Sequence, residues 1–456
     1  MTTSMTTIAD TYPHYARAFQ SQEGNGLQSL RESRQRGWDA FLRLGLPTAR
    51  RGNEPWKYTN VAPIARETFG FSGELTTAQA GITPQTLRDT VPWQDQWQTL
   101  VVVDGIFAPD LSSKHRTNAD EGGAIVASLP AAIRAQADLG DKLLGNLASV
   151  DEDGFTALNT SFVRDGVGIS IGEGEDAGII HIVYLTTGRE QPRATYPRTL
   201  INAEAKSRAT VIETFVGPGD VRYLTNSVME AYVREGANVE HYRLLFEGRD
   251  AYHVGISRVE QDKDSRFSSV AIADGAALGR NDFGVRLGGT GAECALNGLY
   301  LTKGSQHVDN YINIDHAEPH GTSRLFYKGI LDGRSRAVFG GNVTVRKDAQ
   351  KTDAQQTDKN LLLSPEAEVD SKPSLLIYAD DVKCGHGATA GHIDADTVFY
   401  MRSRGLDLAT TSRILIHAFA SEIIDTVALE PLREYLDARL ENAIPDADLT
   451  LSLGGR

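Results

Sequence analysis

The chain has 456 residues, of which 40% are hydrophobic and 23% are charged, and its formal net charge is −14 at pH 7. This length exceeds that of one small core, so we expect two or three structural units, and the composition excludes a wholly disordered chain. The negative charge argues against a nucleic-acid partner, because such a partner requires an extended basic surface.

Targeting and disulfide signals are not recognisable. No apolar run approaches the ~20 residues of a membrane span, and residues 1–15 lack the basic and apolar regions of a signal peptide. The two cysteines, Cys294 and Cys384, are too few for a disulfide framework. These features predict a cytoplasmic protein without membrane contact.

The N-terminal part is predicted to be mainly helical. Apolar residues recur at helical spacing over residues 27–44, and Gly45 is typical of a helix end. The next segment, NEPWKYTN at residues 53–60, has two interpretations. Trp56 and Tyr58 either form a binding surface or pack this loop onto the domain, and we favour packing.

A small β element and further helical segments follow. Residues 100–103 are predicted to form a strand, and Asp104-Gly105 is a strong signal for a type I′ hairpin. The apolar spacing predicts a helix over residues 131–148. Residues 153–171 are predicted to form a short helix that leads into a strand.

Residues 178–392 contain short β-rich runs with hardly any helical periodicity. So many strands without helices leave a sandwich, a barrel, a propeller or a β-helix. Hairpin dipeptides are few, and small residues recur at turn positions, as in Gly236-Ala237 and Gly291-Ala292. This pattern favours stacked parallel coils over an antiparallel meander.

The stretch 361–405 contains three short apolar runs bounded by Ser, Pro, Asp or Gly. We predict a strand at each of them: residues 361–363, 375–378 and 398–400. Cys384 and His386 lie between the last two runs. Because positions two apart share a face of a strand, we expect both side chains to point outward together.

Helical periodicity returns after Gly405. Asp407 is a candidate N-cap, and Pro431 stands where a second helix would begin. We predict one apolar stripe on the first helix: Ile414, Leu415, Ala418, Phe419, Ile423 and Val427. These helices are expected to cap the end of a solenoid, to bind a partner, or to do both. The tail after Pro445 is expected to fray.

Two other residue groups are candidate sites. His307, His316 and His320 are the densest group of imidazoles, but a zinc pair four residues apart needs a helix, which Pro319 disfavours, so we favour turn histidines. A β-helix hydrolase would need clustered carboxylates. The sequence offers five for such a cluster: Asp274, Asp282, Asp309, Asp315 and Asp332.

No nucleotide-binding loop is predicted. The sequence has no G-x-x-x-x-G-K-[ST] motif. Residues 288–291 are glycine-rich, but the residues after them read as a strand, whereas dinucleotide binding needs a helix N-terminus there.

Three segments together resemble the SufB/SufD family of iron–sulfur cluster assembly scaffolds. They are KCGHGAT at residues 383–389, DAQKTDA at 348–354 and YKGIL at 327–331. The HGAT form and the low cysteine count resemble the SufD branch more than SufB, which usually has more cysteines and an HEAT form.

The resemblance implies a fold and a division of the chain. The fold is mainly β, with a right-handed parallel β-helix core flanked by N-terminal and C-terminal helical subdomains. We therefore expect an α-rich domain with a small β element at residues 1–165, the β-helix core at 166–396 and a helical subdomain at 397–456.

The resemblance also implies a function. The chain would be a non-catalytic scaffold subunit that pairs with SufB through its β-helix and binds the SufC ATPase through its C-terminal helices. His386 and Cys384 would be ligands of a transient iron–sulfur cluster, and Lys383 would lower the pKa of the thiol if its ammonium came close. Because a cluster is usually held by about four thiolates, this chain must share it with SufB and is expected to hold none alone.

Two alternatives remain open at this point. In the first alternative, the chain is a secreted-type β-helix polysaccharide lyase or hydrolase. In the second, it is a purely structural partner in which His386 has no metal role. The sequence does not decide whether the chain also forms a homodimer or whether the complex binds a flavin.

Overall fold

The structure is a computed structural model that describes residues 11–22, 27–71, 82–113, 124–187 and 192–444. The predicted fraying after Pro445 lies outside the described residues. The helices are α1 Pro13–Gln20, α2 Gln28–Leu44, α3 Ala62–Arg66, α4 Pro84–Arg88, α5 Leu129–Ala135, α6 Gly154–Phe162, α7 Ala395–Ser403, α8 Leu408–Ile424 and α9 Glu430–Ala443. None of the helices in these ranges is long and apolar enough to cross a membrane.

More of the described residues lie in strands than in helices. The strands of the N-terminal part and the first turns are β1 Gly70–Phe71, β2 Gln98–Val103, β3 Ile106–Phe107, β4 Ile125–Ser128, β5 Gly166–Ile171, β6 Asp176–Leu185, β7 Arg193–Thr195, β8 Arg198–Ala203, β9 Arg208–Val216, β10 Tyr223–Val233 and β11 Asn238–Phe246. The later strands are β12 Tyr252–Gln261, β13 Arg266–Ala273, β14 Leu278–Leu287, β15 Glu293–Thr302, β16 His307–His316, β17 Thr322–Leu331, β18 Arg336–Val345, β19 Asp353–Leu362, β20 Glu368–Ile377 and β21 Lys383–Gly391.

Successive strands alternate between two sheets, so the chain coils as a flattened solenoid. The first sheet has the order β20-β18-β16-β14-β12-β10-β8-β5-β4, and the second has the order β21-β19-β17-β15-β13-β11-β9-β6-β2-β3. Leu278 pairs in parallel with His307, and His307 pairs with Arg336, so one turn takes 29 residues. The predicted parallel β-helix is confirmed.

The alternation of side chains along each strand explains this architecture. Inward residues of both sheets, such as Ile201, Val211 and Ile312, form one apolar cluster in the interior, which we call the lumen. Corners between strands carry glycines with positive φ, among them Gly236 at 66° and Gly291 at 74°. Glycine adopts such angles without the steric cost that a Cβ brings, so the glycines at these turns allow tight corners.

The helices cover the outer faces of the two sheets. The helices α1, α2 and α6 pack on outward residues of the first sheet, such as Val254 and Ile256. The helices α8 and α9 pack on the outer face of the second sheet, where Ile416 and Ile423 belong to the same cluster as Leu299. The expectation that the C-terminal helices cap the solenoid end is therefore wrong. They pack on the side of the solenoid because the outward side chains of the second sheet are apolar and form a core with them.

Most of the elements predicted for the N-terminal part are present in the structure. The helix over residues 27–44, the Asp104-Gly105 hairpin and the helix–strand unit after residue 153 are confirmed. The predicted helix over residues 131–148 is interrupted: α5 ends at Ala135, a π-helix follows at Leu139–Leu143, and Gly145 has a φ of 79°.

The C-terminal predictions are right in part. Asp407 caps α8 by accepting a hydrogen bond from the Thr410 N–H, and Pro431 lies in the first turn of α9. The predicted apolar stripe is displaced, since Ile416 and Ala420 are buried whereas Ile414 is exposed. Helix α8 is apolar on several sides, so periodicity alone does not select the buried face.

Candidate functional site

The last turn of the solenoid leaves both sheets open at one end. In the described part of the chain, β20 pairs only with β18 and β21 pairs only with β19. The outer edges of these two strands therefore present backbone N–H and C=O groups without a ladder partner. Of the three predicted strands in this region, the first two overlap the C-terminal ends of β19 and β20, which are longer than predicted and stop at Leu362 and Ile377.

The third predicted strand is wrong. Residues 398–400 lie in helix α7, which Asp394 caps by accepting a hydrogen bond from the Thr397 N–H at 2.9 Å. Val398 is buried, whereas Phe399 and Tyr400 are exposed. The N-cap overrides the strand preference of this short apolar run.

Cys384 and His386 lie on β21 at the open end. Their register partners on β19 are Ala354 and Gln356, which are buried on the lumen side. Cys384 packs against the lumen cluster, and His386 shares its face but is exposed. The prediction of a common face is confirmed, but the side chains point into the lumen and not outward.

The thiol of Cys384 is not activated in the free chain. Burial raises the pKa of Cys384, and a hydrogen bond with the Ala354 backbone opposes that shift only in part. The expected lowering by Lys383 is absent from these influences, because Lys383 is the neighbouring residue on the strand and so points to the opposite face. Burial therefore disfavours the thiolate of Cys384 in the isolated chain.

Sequence analysis did not identify a set of buried polar side chains that lies beneath β21. Gln356, Asp358 and Asn360 occupy successive inward positions of β19 and are buried. Asp358 Oδ2 accepts hydrogen bonds from Ser371 Oγ at 2.6 Å and Asn360 Nδ2 at 2.8 Å. We call this end of the lumen, with Cys384, His386 and the polar side chains of β19 and Ser371, the lumen mouth. The sequence does contain a sign of this set. In β19, DAQQTDKNLL, Gln356 and Asp358 stand in register with Leu325 and Tyr327 of β17.

Exposed apolar side chains lie at the C-terminal end of the edge strand β20. Leu376 and Ile377 at the end of β20 are 49% and 41% exposed, and the adjacent Tyr378 is 63% exposed. Large apolar groups next to an unpaired strand edge are typical of a protein–protein contact.

The other cysteine is not part of the mouth. Cys294 is buried on β15, and desolvation raises the pKa of its thiol far above the ordinary range. It lies on the same inward column as Cys384, with Ser323 and Ala354 between them. Cys294 is therefore a packed core residue.

The three candidate histidines are not brought together. His307 is on the outer face of the first sheet and lies 3.0 Å from Thr59 Oγ1, whereas His316 is buried in the lumen beside Ser323. His320 occupies an exposed turn with a φ of 61°. Among the described residues, no group of three His, Cys, Asp or Glu side chains could hold a metal ion.

The five candidate carboxylates do not form a hydrolase site. Asp282 and Asp309 pair with the buried Arg280 on the outer face of the first sheet. Asp274 instead pairs with Arg439 of α9, on the other side of the solenoid. The remaining two are placed elsewhere: Asp315 pairs with Arg346 on an exposed surface, and Asp332 lies in the turn after β17.

The segment at residues 53–60 packs, as favoured above. Trp56 is 4% exposed and stacks on Phe155, with a centroid separation of 5.4 Å. The Arg280 guanidinium lies 4.0 Å from the centre of the Trp56 ring. Burial of this kind leaves no aromatic surface of Trp56 for a ligand.

Comparison with known proteins agrees with this architecture. The family description "SUF system FeS cluster assembly, SufBD core domain" matches residues 184–419, and "SufBD protein N-terminal region" matches residues 5–177. The iron–sulfur cluster assembly protein SufD of Escherichia coli is 32% identical over 89% of this chain and 91% of its own length. A SufBD family protein of Synechocystis is also 32% identical, over 89% of both chains.

A more distant relative spans the chain as well. SufD of Bacillus subtilis is 25% identical over 85% of this chain and 88% of its own length. The matched family regions cover nearly all of the solenoid and most of the N-terminal part, and the core-domain match ends at residue 419, within α8. The chain therefore belongs to the SufBD family of iron–sulfur cluster assembly proteins.

Proposed function

We propose that this chain is a non-catalytic, SufD-type scaffold subunit that helps to assemble an iron–sulfur cluster at an interface with SufB, driven by the SufC ATPase. The observation that carries the proposal is the lumen mouth, where Cys384 and His386 share one face of an unpaired edge strand. Thiolate and imidazole are both competent ligands for cluster iron.

The ligand count supports a shared cluster. Cys384 and His386 supply at most two of the about four ligands that a cluster needs, and no three His, Cys, Asp or Glu side chains in the described part of the chain are grouped so that they could hold a metal ion. A second protein has to contribute the rest. The cluster is cargo in this scheme and would be released to other proteins.

The edge of the solenoid supports the mode of pairing. Strands β20 and β21 offer unpaired backbone groups, and Leu376, Ile377 and Tyr378 offer apolar surface beside them. A second β-helix that adds its own edge strands would satisfy the backbone groups and bury the apolar ones. That arrangement would place ligands of both proteins at the lumen mouth.

The C-terminal helices are the proposed contact for the ATPase. Between α8 and α9 lies an open groove of about 580 Å³, lined by Arg413, Ile414, His417 and Glu441 among others. Ile414 is 44% exposed in this groove although it belongs to an apolar stretch. An amphipathic groove on a helix pair is suited to a protein partner.

The test is metal content in the assembled complex. The chain is co-expressed with SufB and SufC, and iron and acid-labile sulfide are measured per purified complex for His386→Ala and Cys384→Ala. We expect both contents to fall several-fold for His386→Ala. His320→Asn is the matched control, because it removes an exposed imidazole and Asn tolerates the positive φ at this position.

The structural alternative predicts a different result. If His386→Ala and Cys384→Ala leave iron and sulfide unchanged in an intact complex, the chain only supports its partners and the metal role is refuted. Loss of the complex itself in the pull-down would point to a folding or docking defect, which circular dichroism of the isolated variant separates.

A further inference from the structure

Asp358 differs from the other buried carboxylates of the described chain. Each of the others has an arginine or histidine partner: Asp104, Glu213, Glu230, Glu247, Asp282 and Asp309. Asp358 is fully buried, and its contacts are neutral: Ser371 and Asn360, both on Oδ2. Buried carboxylates are normally paired with a cation or bound to a metal.

The free oxygens lie under β21. Asp358 Oδ1 is buried without a hydrogen-bond partner, and so is Gln356 Oε1 on the same inward face of β19. The orientation of the Gln356 amide is set by its Nε2, which donates to the Gly341 carbonyl at 3.1 Å. Two oxygen acceptors are therefore present at the lumen mouth with no donor to satisfy them.

His386 is the neighbour of both oxygens across the strand pair. It is in register with Gln356, and Ala388 is in register with Asp358. Adjacent strands are about 4.8 Å apart, and diagonal neighbours on one face are about 7–8 Å apart, within reach of long or aromatic side chains. The residue directly across the strand pair from Asp358, Ala388, has only a methyl side chain.

We propose that Asp358, Gln356 and His386 bind a divalent transition-metal ion at the lumen mouth. The inference rests on the proposed function and deepens it, since the ion would be the iron(II) that enters the nascent cluster. A carboxylate oxygen, an amide oxygen and an imidazole nitrogen form a mixed set that suits Fe²⁺, Co²⁺ or Zn²⁺. Ser371 and Asn360 would orient the carboxylate, as hydrogen-bonding groups around metal ligands usually do.

The charge of the group fits a cation. Burial raises the pKa of Asp358 to about 6, and the hydrogen bonds from Ser371 and Asn360 oppose that rise. No cation among the described side chains lies against this carboxyl, whose hydrogen-bond partners are Ser371 and Asn360. A bound divalent ion would supply the missing positive charge.

The experiment uses the isolated full-length chain after treatment with a chelator. Co²⁺ is the probe, because its visible absorption reports bound nitrogen and oxygen ligands, and calorimetry gives the affinity. We expect Asp358→Asn and His386→Ala each to weaken Co²⁺ binding by at least about tenfold. Gln356→Leu, which restores the residue type found at this inward position on β15 and β17, should weaken binding less.

Asp353→Asn is the matched control. Asp353 is on the same strand as Asp358 but is partly exposed and paired with Arg324, so its loss should leave the Co²⁺ affinity unchanged. Circular dichroism and the unfolding midpoint of each variant show that it is folded. Unchanged affinity in Asp358→Asn, or no saturable binding by the unaltered chain, would overturn the metal site.

The two proposals fail separately. If Asp358→Asn binds Co²⁺ normally while His386→Ala lowers iron and sulfide in the complex, the scaffold function stands and this metal site is refuted. If Co²⁺ binding depends on Asp358 but cluster content is insensitive to His386, the metal site stands and the cluster role of His386 falls.

Discussion

Two polar regions of the lumen differ in how their buried charge is compensated. In the central region, Glu213 Oε2 accepts a hydrogen bond from Arg243 at 3.1 Å and lies 3.1 Å from His241 Nε2. The other oxygen, Oε1, accepts a hydrogen bond from the Thr199 hydroxyl. Burial alone would raise the pKa of Glu213, but His241 and Arg243 lower it to about 2. At the lumen mouth, the Asp358 carboxyl has only neutral partners.

The difference indicates what each region is for. In the central network the buried carboxylate of Glu213 is matched by Arg243 and His241 of a neighbouring turn, and we call this arrangement the closed network. It therefore serves to hold turns in one register. The mouth has unmatched oxygens beside an open strand edge, which is the condition in which a ligand or partner gains most by binding.

Breaking the central network should give the largest effect. Replacing Arg243 by Met leaves the buried Glu213 carboxylate without its cation, and we expect the free energy of unfolding to fall by about 3–5 kcal/mol. Chemical denaturation measures the change. The control is Arg324→Met, which removes the exposed pair with Asp353 and should cost less than about 1 kcal/mol; equal losses in the two variants would contradict the closed network.

Low pH should destabilise the part of the lumen around His316, which lies between these two regions. Burial lowers the pKa of His316 to about 4, whereas the unfolded chain has a value of about 6.5. The unfolded state then binds more protons, so stability is lost as pH falls from about 6.5 to about 4, by about 3 kcal/mol in total. His316→Gln should flatten this part of the pH profile of unfolding; a profile that falls as steeply as before would disprove the assignment.

At the lumen mouth, removing a charge should stabilise the fold, whereas in the central network it should destabilise it. In the metal-free chain, Asp358→Asn removes an uncompensated buried charge and should raise the free energy of unfolding by about 1–2 kcal/mol at pH 7.5. Glu213→Gln, its counterpart in the central region, should lower it because Arg243 is then left unpaired. Destabilisation by both variants would remove the distinction between the two regions.

The smallest effect on stability is expected at the exposed rim. Leu376→Lys changes a side chain that is 49% exposed, so the unfolding free energy should stay within about 0.5 kcal/mol. A charge next to the unpaired edge should nevertheless weaken edge-to-edge association more than tenfold, measured by pull-down or calorimetry with SufB. An exposed lysine substitution far from the edge, Gln85→Lys on α4, is the control, because a lysine there can keep the contact with Asp89. Association that is equally strong in Leu376→Lys would place the interface elsewhere.

Much of the fold followed from local patterns, and the errors have physical causes. Small residues at turns and the scarcity of hairpin dipeptides predict parallel stacking of the strands. The family resemblance gives further support to the parallel β-helix. Residues 398–400 were misassigned as a strand because the N-cap at Asp394 outweighs β preference in a short run. The placement of α8 and α9 was missed because their docking surface is assembled from outward residues of separate turns, including Leu299 and Ile330.

The sequence by itself determined the family, the β-rich core, the common face of Cys384 and His386, and the shortage of sulfur ligands. These depend on residue identity, spacing and the two-residue period of a strand, which are local properties. Only the tertiary structure decided that this face turns into the lumen, and that Asp358 lies beneath it without a cation. Which side of a strand is interior, and which charges meet across turns, depend on pairing between residues about thirty positions apart, and no local pattern contains that information.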